Sequence, residues 1–89
     1  MRNAQVAENW GRNQPASAAN LSTNGELLWS YNLLIGYTTP KGRKVVIDYT
    51  ARGVYCSQTT SRHVGLAARS ADEIMHPEVF RSVHTVMIN

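Results

Sequence analysis

The side chains of this 89-residue chain that could do chemistry are three histidines, one cysteine and a basic stretch that shares its topology with a run of hydroxyls. His63, His76 and His84 are spread without the paired spacings of a zinc site, so no metal is expected and capping or solvent-facing roles are. Serine, histidine and aspartate all occur. No glycine-flanked nucleophile elbow accompanies them, and acidic residues are few, so a hydrolase triad is not expected. Cys56, mid-strand next to Tyr55 and with no adjacent base in sequence, suits a half-buried small hydrophobe better than a nucleophile. The segment Thr39-Pro40-Lys41-Gly42-Arg43-Lys44 lacks both the earlier glycine and the following hydroxyl of a phosphate loop, and reads as a charged hairpin tip.

One constellation survives, and topology supplies it. If a hairpin and a third strand form a meander that leads into a helix, the first hairpin tip and the helix start lie at the same end of the sheet. Lys41, Arg43, Lys44, Arg62 and His63 then cluster beside the hydroxyls of Thr59, Thr60 and Ser61 and the unpaired N–H groups of the helix start. That is an anion- or partner-binding patch. Positive side chains at a helix N-terminus oppose its dipole by about 0.3–1 kcal/mol, a cost that a bound phosphate or carboxylate would offset. Basic hairpin tips that serve solubility, and threonines that serve as plain caps, are the competing explanation. Arg52, at the other turn, is excluded from the patch by the length of a strand.

The elements that must position these residues follow from period and punctuation. Residues 1–25 are rich in Asn, Ala, Ser and Gly, and their apolar weight falls on Val6, Trp10 and Leu21. They read as a loosely anchored arm in which Asn3 to Trp10 forms a short helix stopped by Gly11, followed by loop. Residues 26–89 then form a single α+β domain. Leu27, Trp29, Tyr31, Leu33, Ile35 and Tyr37 alternate through Glu26–Thr38 as one long strand. Lys44–Thr50 is a second strand, and Val54–Gln58 a third that carries Cys56. The fold class expected is a three-stranded antiparallel β-meander packed by one or two helices, with a short N-terminal helix or arm.

The first packing helix starts at a Thr60 or Ser61 cap and carries Val64, Ala67, Ala68 and Ala71 on one face. Ser70-x-x-Glu73 resembles a capping box for one further turn, and Pro77 with Glu78 suits the start of another helix. The β-branched Val83, Thr85, Val86 and Ile88 leave helix or strand open for residues 78–89. Trp29, Tyr31, Tyr37 and Tyr49 form either a stacking platform for bases or, among so many aliphatic neighbours, part of the core.

Composition bounds the rest. One small core fits the length, which leaves a homodimer open. Nine Lys+Arg against six Asp+Glu give a formal charge of +3, compatible with nucleic-acid binding without requiring it. A single cysteine forms no intrachain disulfide and fits a reducing compartment. No signal-peptide or membrane-spanning run is present, and no membrane partner is expected.

Leu28-Trp29-Ser30-Tyr31, Leu34-Ile35-Gly36 and Thr59-Thr60-Ser61-Arg62-His63-Val64, with the lead-in Trp10, Gly11, Asn20-Leu21, Thr23 and Gly25, resemble a family of small uncharacterised bacteriophage proteins. In these a serine-tyrosine strand is followed by a hairpin and a Thr-Thr-Ser-Arg-His helix start. The resemblance spans roughly residues 10–70. It implies a phage or prophage protein in the cytoplasm of a host bacterium, and it brings no activity with it.

Together these readings favour a non-catalytic, phage-encoded accessory protein, without a cofactor, that binds and modulates a host protein as a takeover or anti-defence inhibitor. The alternative is a small nucleic-acid-binding protein that uses the basic end of the sheet.

Overall fold

The computed structural model describes the backbone of residues 1–88 and the side-chain surroundings of residues 1–82. In chain order the elements are α1 (Asn3–Gly11), β1 (Ala16–Ser17), β2 (Leu21–Thr23), β3 (Leu28–Ser30), β4 (Leu33–Thr38), β5 (Lys44–Ile47), α2 (Gln58–Ala68), β6 (Glu73–Met75) and α3 (Pro77–Ile88). The six strands make one open sheet in sequence order, antiparallel from β1 to β5 and parallel between β5 and β6. This replaces the expected three-stranded antiparallel meander with three helices on a six-stranded mixed sheet.

Length shows why the first expected strand fails. Thirteen extended residues, 26–38, would reach roughly 43 Å, beyond the 37 Å of the molecule's longest axis. The chain turns instead at Tyr31-Asn32, where Tyr31 takes a φ of 55°. The turn splits the alternation into β3 and β4, with Ser30 opposite Leu33. Leu28 and Ser30 point into the core while Tyr31 is 54% exposed, so the six residues that alternate in sequence do not share a face.

Nor is the arm loose. Val6, Ala7 and Trp10 of α1 are buried, and β1 and β2, in a segment that composition marks as loop, pair with each other and with β3. α1 follows the expected i, i+4 spacing of Val6 and Trp10, and packs on α2, β1 and β2. The third expected strand, residues 54–58, is also absent: 54–57 is irregular chain leading to α2, which begins at Gln58 with Ser57 as its cap. Ser57 Oγ accepts the Thr60 N–H at 3.1 Å. After α2, the residues expected to prolong a helix at Glu73 form β6 instead. β5, α2 and β6 are thus a strand-helix-strand crossover, which is how two parallel neighbours must be connected. At the C-terminus α3 is a helix, and His76 Nδ1 accepts the Glu78 N–H at 3.1 Å at its start. The β-branched residues weighed for a strand there lie outside the residues whose side chains are described, as does His84.

α1 and α2 cover one face of the sheet, where Val6, Trp10, Leu21, Leu28, Ile35, Val46, Val64 and Ala67 form the core. Val45 and Ile47 flank Val46 and point to the other face, where the ring of Phe80 in α3 lies 5.6 Å from that of Tyr37. β5 is buried on both faces, as a strand between two helical layers must be.

The tightest packing lies under Trp10. A Cβ at Gly36 would stand 2.9 Å from Trp10 Cζ2 and 3.2 Å from Leu28 Cβ. Gly36→Ala is therefore expected to cost about 1–3 kcal/mol by overpacking, measured as a fall in the urea midpoint with an unchanged slope.

Candidate functional site

The basic patch expected at one end of the sheet is divided. β5 runs away from the hairpin tip, and α2 brings the chain back, so the helix starts at the far end of β5 and finishes at the tip. Ser61 Oγ donates to Tyr49 O beyond the end of β5, while Asp72, after α2, donates its N–H to Lys44 O at the beginning of β5 and accepts the Lys44 N–H on its carboxylate. An eleven-residue helix separates the two groups by roughly 16 Å. Lys41 and Arg43 stay exposed at the tip; Arg62 is exposed at the other end with Thr59 and Ser61 nearby in α2. Thr60 and His63 are buried. The bases that the fold does bring towards the tip are Arg12 and Arg69, which follow the C-terminal ends of α1 and α2, where a helix dipole favours positive charge.

Lys44 leaves the patch altogether. It is 3% exposed, and its Nζ donates to Asn13 Oδ1 at 2.7 Å, Gly25 O at 2.9 Å and Thr38 Oγ1 at 2.6 Å, while lying 5.3 Å from the centroid of the Trp10 ring. Three acceptors use all three ammonium donors, which leaves none for a ligand. Burial pulls its pKa down, and Glu26 and Asp72 oppose that pull. Lys44 is a structural tie between the hairpin, the β2–β3 turn and the end of α1.

His63 is held in a buried polar chain. Its Nδ1 lies 2.6 Å from Ser30 Oγ, which lies 3.1 Å from Thr60 Oγ1; its Nε2 is 3.2 Å from Asn3 Nδ2. With the Asn3 amide donating to Nε2, the neutral ring carries its proton on Nδ1 and donates to Ser30, whose hydroxyl donates to Thr60. A serine against a histidine invites comparison with a hydrolase. Here Ser30 is fully buried, the third group is an uncharged amide, and no cleft opens onto the serine among the described residues. The chain instead joins α1, β3 and α2 through satisfied polar contacts. Sequence reading missed Ser30 and Asn3 as partners because they lie 33 and 60 positions from His63.

The cleft that the fold does open is elsewhere. It has a volume of about 510 Å³ and lies between α2, β6 and the 48–55 segment. It is lined by Val64, Gly65 and Ala68 of α2, by Ile74 of β6 and, from the 48–55 segment, by Arg52 and Tyr55, with Asp48 and Ser61. Tyr55 is 58% exposed and Ile74 56%, so large apolar side chains meet solvent around this concave surface. Asp48 is tied down by the Thr50 hydroxyl. Of the residues expected to form a site, only Ser61 contributes here. Ile74 sits in a short strand that period alone does not reveal, and Tyr55 lies in the 54–58 segment that period reads as a strand and that forms none. Cys56 is exposed beside Tyr55, where a half-buried position was expected.

Among the described residues no group of three or more His, Cys, Asp or Glu is placed to hold a metal ion, and no helix is long and apolar enough to cross a membrane. Compared with family models, with curated proteins and with solved structures, the chain finds no match in any of the three.

Burial in the Ser30 chain pulls the His63 pKa below its ordinary 6.5. The unfolded chain therefore takes up this proton first as the pH falls. The stability contributed by keeping His63 neutral is full above about pH 6.5 and is lost between that value and the lower folded-state pKa. His63→Gln is expected to flatten this acid limb relative to the wild type. Urea denaturation at a series of pH values from neutral to mildly acidic checks it; parallel curves for the two proteins would assign the limb to other groups.

Proposed function

We propose that this protein acts without catalysis, by binding a protein partner through the cleft between α2, β6 and the 48–55 segment. The observation that carries this reading is the open apolar cleft itself, with Tyr55 and Ile74 exposed at its rim. Solvent contact of large apolar groups around a concavity is a cost that a partner removes. Three of the polar groups that sequence singled out serve the fold instead: Lys44, Thr60 and His63 have their hydrogen bonds made inside the molecule. The resemblance to small bacteriophage proteins supports a phage-encoded accessory role in which the partner is a bacterial host protein that is bound and modulated. Nucleic-acid binding is the weaker alternative, because its basic patch is divided between two ends of the molecule.

Immobilised wild-type protein and a Tyr55→Ala/Ile74→Arg double variant, exposed in parallel to bacterial lysate, test the reading. The expected outcome is a defined protein retained by the wild type and reduced at least tenfold on the variant, with both melting at similar temperatures. Equal retention by the two would overturn the cleft as the site. Tight, salt-dependent binding of labelled DNA or RNA that is lost on changing Lys41, Arg43, Arg12 and Arg69 to Ala would put the nucleic-acid alternative in its place.

A further inference from the structure

The partner's chemistry can be narrowed, on the premise that the cleft is the docking site. The cleft borders β6, an edge strand that pairs on one side only, with β5. Asp72 N–H donates to Lys44 O and Met75 O accepts the Asp48 N–H, both on the β5 side, so by the alternation of a strand Glu73 is the residue of β6 whose N–H and C=O point outward, where no described strand meets them. Ile74, between Glu73 and Met75, lines the cleft next to this edge. A chain laid along β6 would gain backbone hydrogen bonds from the edge and place alternate side chains over Val64, Ala68 and Ile74.

Charge then selects the kind of chain. The protein is net basic, yet between Arg69 and Arg81 it carries Asp72, Glu73 and Glu78 and no Lys or Arg, and all three carboxylates are exposed. Asp48 lines the cleft with its carboxylate held by the Thr50 hydroxyl, and the Asp72 carboxylate accepts the Lys44 N–H, which leaves Glu73 as the exposed carboxylate of β6 itself. Against these carboxylates stand Arg81, 3.8 Å from Glu78, and Arg52, which lines the cleft. An acidic edge repels a second copy of itself and attracts an extended segment of alternating basic and apolar residues. We infer that β6 receives such a segment of a partner protein as an added strand, its apolar side chains entering the cleft beside Ile74 and its basic side chains on the opposite face of the sheet, beside Glu73.

Three acetylated heptapeptides serve as probes: alternating lysine and valine, alternating glutamate and valine, and the lysine-valine peptide with a central proline. Each is titrated into the full chain while the amide shifts of residues 72–76 are followed by NMR. The lysine-valine peptide is expected to saturate shifts along β6 and the cleft, with the glutamate and proline peptides at least tenfold weaker. The Glu73→Lys variant is expected to reverse the charge preference while keeping its fold, as its spectrum away from β6 reports.

Equal binding of the proline peptide would remove strand addition, since proline has no N–H to pair. Equal binding of the glutamate peptide would remove the charge selection. Failure of all three peptides, while a lysate partner is still lost from the Tyr55→Ala/Ile74→Arg variant, overturns the added strand and leaves the cleft as a docking site of another kind. Concentration-dependent dimerisation that Ile74→Arg abolishes would give the edge to a second copy and overturn the basic partner.

Discussion

The burial of Trp10 is the constraint on which the rest of the molecule depends. An indole brought fully out of water needs a partner for its N–H and close-packed surroundings for its ring. Trp10 Nε1 donates to Glu26 O at 2.9 Å, Gly36 gives up its side chain to let the ring approach β4, and Lys44 Nζ lies over the ring. Each of these residues is fixed in turn by others. Thr38 Oγ1 donates to the same Glu26 carbonyl, Asn24 Oδ1 accepts the N–H groups of Glu26 and Leu27, and Lys44 holds Asn13, Gly25 and Thr38. A side chain from the first ten residues thereby organises a turn, a hairpin and the end of its own helix, and draws β1 and β2 into the sheet behind it.

The same organisation explains why the polar residues with chemical potential are spent on structure. A domain this small has few positions far from water, and any polar group placed there must find a partner or destabilise the fold. His63, Ser30, Thr60 and Asn3 solve this as one chain, and Lys44 solves it with three oxygens and a ring. No buried side-chain nitrogen or oxygen among the described residues is left without a hydrogen bond. The cleft at β6, where exposed Tyr55 and Ile74 border a concave surface, is a part of the surface whose free energy a partner can still lower.

The parallel pairing of β5 with β6 is what moves the functional reading from a basic end to an apolar edge. A meander would have set the tip and the helix start side by side. The crossover sets them a helix length apart, and it leaves β6 with an open side next to α2. Residues 54–57, irregular rather than strand, supply Tyr55 to the lining of the cleft, so the element that failed to form also contributes to the concavity.

Local chemistry alone determined several features. The Val6 and Trp10 spacing marked α1, Gly25 and Gly42 marked turns that take positive φ, and the alanine-rich face marked α2. Pro77 suits the helix start that α3 shows, while the β-branched residues after it leave helix or strand open until the fold decides. These signals act within a few residues of chain, and neighbours suffice to specify them. Tertiary structure decided the rest: that Glu26–Thr38 bends at Tyr31-Asn32, that β1 and β2 pair, that β6 forms at all, and that Lys44 and His63 are buried rather than displayed. Strand pairing and the burial of a polar group depend on partners dozens of residues away, and a period of two reads the same along a straight strand as around a tight hairpin. The sequence could therefore mark local elements and candidate residues, but only the folded chain, by fixing which distant groups meet, could say which of them are buried and which face a partner.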